Sequence, residues 1–113
     1  MQYRILGNTG LKVSLLSFGT GGPSQFGQKV HLSREEQTRL VHRSLDLGIN
    51  LFDSSCKYGN SEELLGTTLK GVPRDSYILS TKWGAAMTWS APGTGGVDGA
   101  LEQDPESLLN PAK

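Results

Sequence analysis

The chain has 113 residues, 35% of them hydrophobic and 19% charged, the composition of one soluble globular domain at most. Eleven basic residues offset eleven acidic ones, so charge gives no case for nucleic acid or an anionic membrane as partner, and no apolar run reaches the roughly 20 residues of a membrane span. Cys56 is the single cysteine, which excludes an internal disulfide, and Met1–Arg4 lacks the basic-then-apolar order of a secretory signal, so a reducing, cytoplasmic setting is expected.

A hairpin is predicted over residues 3–15. Tyr3 and Ile5 alternate with polar neighbours, Gly7-Asn8-Thr9-Gly10 supplies turn residues, and Leu11, Val13 and Leu15 alternate again. Leu16 to Thr20 reads as a short buried strand that Gly21-Gly22-Pro23 ends, and Ser24 to Leu32 reads as a polar loop. Ser33-Arg34-Glu35-Glu36 is a capping box. The helix behind it carries Leu40, Val41, Ser44, Leu45 and Leu47 on one arc and Glu35, Arg39, His42, Arg43 and Asp46 on the other, with Gly48 as its left-handed end.

Ile49 to Phe52 is a strand too short to alternate, as burial on both faces of a parallel sheet requires. A second helix is predicted from Asn60 or Ser61, with Asn60 and Glu63 at capping-box spacing. Its inner face is Leu64, Leu65 and Leu69, and Gly71 and Pro73 stop it. Tyr77 to Thr81 is the next strand. Strands alternating with single amphipathic helices argue βαβ units and a parallel α/β sheet. From Gly84 onward periodicity stops, and residues 84–113 read as one long loop.

Two of these strands end in chemistry. The first delivers Asp53 at its end and Tyr58 five residues on; the second delivers Lys82. Taken singly, an aspartate after a strand is a turn former, a tyrosine in a loop is packing, and a strand-end lysine is a solvated charge. Only the three together suggest proton transfer. Cys56 has no CxxC partner and no histidine at ligand spacing, so a metal site is not expected. Gly19-Thr20-Gly21-Gly22-Pro23-Ser24 imitates half of a dinucleotide-binding glycine motif, but Ser24 replaces the third glycine and Pro23 blocks the helix.

Leu6-Gly7-Asn8-Thr9-Gly10-Leu11-Lys12-Val13-Ser14, Leu47 to Asp53, Tyr58-Gly59-Asn60-Ser61-Glu62, Leu65-Gly66 and Ser80-Thr81-Lys82 resemble the aldo-keto reductases, in register from Met1 to about Gly84. The resemblance implies the N-terminal part of a (β/α)8 TIM barrel, preceded by a hairpin that plugs its bottom. It implies a nicotinamide cofactor, NADP by preference with NAD as the alternative, and an aldehyde, ketone or sugar as substrate. Asp53, Tyr58 and Lys82 match three members of the family's catalytic tetrad. Its histidine lies at the end of a fourth strand, which neither His31 nor His42 can supply. Gly19, Thr20 and Gly21, with Asp53, would meet the cofactor, whose phosphates the family grips from its last strands. Trp83, and less so Trp89, would line a substrate pocket.

The chemistry suits these residue types. Hydride transfer onto a carbonyl carbon leaves charge on the oxygen, which a positioned acid must neutralise. A phenol is a weak acid at neutral pH, and an ammonium about 4 Å away would favour its ionised form by roughly 4 kcal/mol at an effective dielectric of about 20. A carboxylate beside the amine keeps it charged and oriented. A barrel takes about 250 residues, so the 113-residue chain looks truncated and is expected to be unstable and inactive alone. The alternative is a non-catalytic cofactor-binding or partner subunit. Oligomeric state has no signature.

Overall fold

Alternation in the first 15 residues produces the expected hairpin. In the computed structural model, which describes residues 1–83, β1 (Tyr3–Ile5) pairs antiparallel with β2 (Lys12–Ser14), placing Tyr3 opposite Ser14. Gly7 and Gly10 turn the chain at φ of 51° and 74°, a region that glycine enters without steric cost. Val13 is buried, while Leu11 and Leu15 stay exposed on either side of this short strand.

Three strands, β3 (Phe18–Gly19), β4 (Leu51–Asp53) and β5 (Ile78–Ser80), form a parallel sheet in the order β3-β4-β5. The register sets Gly19 beside Asp53 and Asp53 beside Ser80. All three chain segments therefore leave the sheet at one level, and the site is built there. The crossovers are α1 (Arg34–Asp46) and α2 (Ser61–Thr68). The residues Met1–Lys82 make one unit.

Helix α1 starts as its capping box dictates: the Ser33 hydroxyl accepts the Glu36 N–H, and the Glu36 carboxylate accepts the Ser33 N–H at 2.8 Å. The Ser33 N–H, and after it the Ser33 hydroxyl, which donates to the same carboxylate at 2.9 Å, hold the Glu36 carboxyl below its ordinary range. Gly48 ends the helix at φ 87°. The buried stripe is narrower than the predicted arc. Gln37, Val41 and Ser44 are buried and Leu45 partly so, whereas Leu40 and Leu47 remain 45% and 54% exposed at its margins. Gln37 takes the place a leucine would hold because its amide donates to the Phe26 carbonyl at 3.0 Å, which satisfies a buried polar group.

Helix α2 buries Leu64, Leu65 and Leu69 as predicted, but Asn60 makes no side-chain cap. The Asn60 N–H instead donates to Gln28 Oε1 at 2.8 Å, from a different loop. That loop, read as merely polar, carries the 3-10 turn Gln28–Val30 and sends Phe26 into the core. Phe26, Val41, Phe52, Leu64, Leu65 and Leu69 form that core, with Phe18, Leu45, Val72 and Tyr77 packed against it. Phe52 is fully buried, and its ring meets Phe18 at 5.6 Å and, edge-on, Tyr77 at 6.4 Å. Burying such a ring contributes about 1.5–3 kcal/mol.

Asn50 ties the hairpin to the N-terminal end of β4. It accepts the Ser14 N–H at 2.7 Å and donates to the Lys12 carbonyl at 2.9 Å, while the Tyr3 hydroxyl donates to the Gly48 carbonyl at 2.8 Å. A cavity of about 290 Å³ opens there, lined by Tyr3, Leu45, Asn50, Val72 and Ser76 among others. It lies at the opposite end of the strands from Asp53 and holds none of the predicted site residues. Among the described residues no helix is long and apolar enough to cross a membrane.

Candidate active site

Each parallel strand hands one segment to the C-terminal end of the sheet, and hydrogen bonds lace the segments together. The Thr20 N–H and hydroxyl both donate to the Asp53 carbonyl, at 2.9 and 3.0 Å, and the hydroxyl also reaches Ser54 Oγ at 2.9 Å. The Ser54 N–H donates to the Ser80 carbonyl at 2.8 Å. Thr20 is fully buried and Ser54 nearly so, so these bonds form away from water, where an unmade one would cost about 1–3 kcal/mol.

The side chains of Asp53 and Lys82 meet above this lacing. Lys82 Nζ lies 2.7 Å from Asp53 Oδ2 and donates to the Ser54 carbonyl at 3.0 Å, and Ser80 Oγ donates to Asp53 Oδ1 at 3.0 Å. The ammonium stands 5.1 Å from the centroid of the Tyr58 ring. The hydrogen bond to Asp53 is the main cause that raises the Lys82 pKa above the ordinary lysine value; burial opposes it and Tyr58 adds to it. Lys82 is thus an ammonium at physiological pH. Its side chain is 45% exposed and that of Asp53 35%, so the pair faces solvent.

Gly21 explains how Tyr58 reaches this spot. A Cβ at Gly21 would lie 2.8 Å from Cε2 and Cζ of the Tyr58 ring, so the ring packs directly on bare backbone of the turn after β3. Asp53, Tyr58, Lys82 and Gly21 therefore surround one place, with Gly19 in register beside Asp53. Thr20 differs in kind from its two glycine neighbours: its hydroxyl is tied inside the fold, and the turn presents backbone. Trp83 is 82% exposed. Trp89 and the long loop lie outside the described residues.

Neither histidine joins the group. His42 Nε2 pairs with the Thr68 carbonyl at 3.0 Å, and His31 ends the 3-10 turn in a left-handed conformation at φ 56°. Among the described residues no cluster could hold a metal ion. The sequence reading missed Gln28, Ser54, Ser61 and Ser80 as supports, and also the contact of the Thr81 hydroxyl with the Glu62 carboxylate, which ties the segment before Lys82 to α2. Serines and a glutamine in loops carry no periodicity, so little in the sequence marks them.

The arrangement matches known proteins. Residues 16–102 match the aldo/keto reductase family. Over 89 residues the chain is 44% identical to L-galactose dehydrogenase of Arabidopsis thaliana, covering 74% of this chain and 27% of that protein. It is 36% identical over 97 residues to a protein of the same plant named "Probable voltage-gated potassium channel subunit beta", covering 82% and 27%. The solved structure of an aldo-keto reductase from Bacillus halodurans, in its holo form, superposes with a TM-score of 0.61 at 32% identity, covering 85% of this chain and 29% of that one. The chain spans 27% of the length of these two curated relatives. Its hairpin and first three parallel strands are the N-terminal part of their TIM-barrel architecture, and the chain belongs to the aldo/keto reductase family.

Proposed function

We propose that the protein carrying this chain transfers a hydride between a nicotinamide cofactor and an aldehyde, ketone or sugar, with Tyr58 as the general acid. The family is one of oxidoreductases that generally use NAD(P)H. The observation that carries the reading is the position of Lys82: held by Asp53 at 2.7 Å and Ser54 at 3.0 Å, it stands 5.1 Å from the Tyr58 ring. These groups fit the reacting end of such a cofactor because Gly21 lets the Tyr58 ring close directly onto the turn after β3, where even a methyl group would displace it, and so brings the phenol beside Lys82 and Asp53.

The backbone of Gly19, Thr20 and Gly21 and the Asp53 carboxylate would hold the nicotinamide, NADP in preference to NAD. When bound, it supplies the hydride. Tyr58 donates its phenolic proton to the carbonyl oxygen as charge develops there and recovers one from solvent. Lys82 stabilises the phenolate left behind, and Asp53 keeps the ammonium charged and aimed. The exposed side of the group admits a small carbonyl substrate. Trp83 is assigned to the substrate side. The chain's even charge and lone cysteine favour a cytoplasmic setting without nucleic acid or membrane as partner.

The test is steady-state turnover of the whole protein from its natural source, with NADPH and NADH against aldehydes and sugars. Tyr58→Phe is expected to reduce turnover at least 100-fold and to leave NADPH affinity, read by fluorescence titration, nearly unchanged. Retained turnover in that variant would sink the assignment. The similarity to the channel-subunit relative favours a second reading, a cofactor-binding partner subunit. NADPH binding with no turnover on any carbonyl would select it.

A further inference from the structure

We infer that Gln28, in the loop between β3 and α1, is a positioning residue that fixes the Tyr58 backbone in the active site. The inference rests on the reading of Tyr58 as the acid. One side-chain amide spans two loops 30 and more residues apart in sequence. Gln28 Nε2 faces three acceptors, the Gln25 carbonyl at 2.6 Å, the Tyr58 carbonyl at 3.0 Å and Ser61 Oγ at 3.0 Å. Gln28 Oε1 accepts the Asn60 N–H at 2.8 Å. Acceptors on one side and a donor on the other fix which end of the amide is which.

The Tyr58 carbonyl also accepts the Ser61 N–H at 3.1 Å, and the Ser61 hydroxyl donates to the Thr20 carbonyl at 2.9 Å. The acid's own peptide group is thereby tied both to the start of α2 and to the turn after β3. Ser61 is fully buried, so this link is not a solvent-exchanging surface contact.

Two features of the backbone show what the amide's seat requires. Gln25 and Phe26, neither of them glycine, take φ of 46° and 59°, followed by Gly27 at 81°. Such conformations are strained for residues with a side chain and persist where surrounding structure enforces them. Here they bury Phe26 in the core and swing Gln28 over the Tyr58 loop. On the other side, Gly59 has φ 58°, and a Cβ there would lie 2.6 Å from Gln28 Oε1. Both loops are shaped around one side chain.

The experiment compares wild type, Gln28→Glu, Gln28→Met and Tyr58→Phe in the whole protein, with NADPH and a carbonyl substrate that the wild type turns over. Turnover is expressed per NADPH-binding site, so that unfolded molecules do not count. Glutamate keeps the acceptor for Asn60 but removes the donor to Tyr58; methionine keeps the length and removes the amide. Both are expected to lower kcat about 10- to 100-fold, as a displacement approaching 1 Å would, with NADPH affinity within twofold of wild type. A merely structural role would lower thermal stability and leave kcat per site unchanged. If Tyr58→Phe loses turnover while both Gln28 variants keep it, Gln28 does not position the acid. If Tyr58→Phe retains turnover, the reading of Tyr58 fails first. If the wild type turns over no aldehyde, ketone or sugar, both fail.

Discussion

Replacing Gly21 with alanine adds one methyl group where the structure leaves no room for it. The new Cβ would stand 2.8 Å from Cε2 and Cζ and 3.1 Å from Cε1 of Tyr58. Ordinary carbon contacts begin near about 3.5 Å, so the ring must retreat by roughly 0.7 Å. Its hydroxyl end, which protrudes beyond the clash, moves at least as far. A displacement of that size at a reacting group lowers turnover by up to about 100-fold. Stability should respond in the opposite sense. Gly21 is not among the residues with positive φ, so alanine suffers no backbone strain there, and the stiffer unfolded chain contributes about 0.4–1 kcal/mol in favour of folding. The atoms in the way belong to the far end of a half-buried side chain and can yield. Gly21→Ala is therefore expected to melt at or slightly above the wild-type temperature while kcat falls strongly. Calorimetry and steady-state kinetics on one preparation read both. Unchanged kcat would show that the position of the Tyr58 ring does not govern turnover, and a large loss of stability would show that the turn supports the fold rather than the ring.

Two further substitutions separate stability from chemistry. Asp53→Asn should cost less than about 1 kcal/mol, because an exposed ion pair contributes little, yet lower kcat at least 10-fold by releasing the Lys82 ammonium. Since Asp53 raises the Lys82 pKa, the pair stabilises the protein below the ordinary lysine value of 10.5 and stops doing so as pH rises through the raised value. Urea midpoints of wild type and Asp53→Asn should converge above about pH 10.5; a gap that persists at alkaline pH would contradict this. Ser33→Ala should cost about 1 kcal/mol through loss of the α1 cap. The lowered pKa of Glu36 makes the capping contribution present above its ordinary value of 4.5 and lost as pH falls through the lowered one. Wild-type midpoints should drop across that acid window more than those of Ser33→Ala, and equal drops would count against the box.

The elements were legible where local physics determines them. Ser33 with Glu36 marks a helix start whatever the rest of the chain does, and Gly48 and Gly71 both take the left-handed turn their positions demand. The Asp53, Tyr58 and Lys82 spacing could be read because strand ends in a parallel sheet converge, and the register does align Gly19, Asp53 and Ser80. Two misplaced residues, Leu40 and Leu47, show the limit of a helical wheel. It reports which side chains share a side of the helix, not how wide a stripe its neighbours cover. Asn60 failed as a cap for a related reason. Capping-box spacing is a local signal; Asn60 stands at φ −91° and ψ 18°, outside the extended conformation from which a side chain caps, and the N–H that Glu63 would have accepted goes to a glutamine 32 positions earlier. No sequence period could reveal that, since the partner arrives through tertiary structure.

Stability and chemistry also occupy different parts of this fold. The apolar core of Phe26, Val41, Phe52 and three leucines of and beyond α2 lies under the sheet, away from solvent. The acid, phenol and amine sit above it on segments joined by hydrogen bonds, with their charged atoms partly in water. An ion pair that exposed contributes too little to stability to account for its three converging partners, Ser54, Ser80 and the Tyr58 ring. What those partners restrict is direction. Lys82 cannot leave Asp53 without losing the Ser54 carbonyl, and Asp53 is itself held by Ser80, so the ammonium points at one place. Restriction of this kind lowers the entropic cost of a reaction rather than the energy of the fold, which is why the substitutions that matter most to turnover here should hardly register in a melting curve.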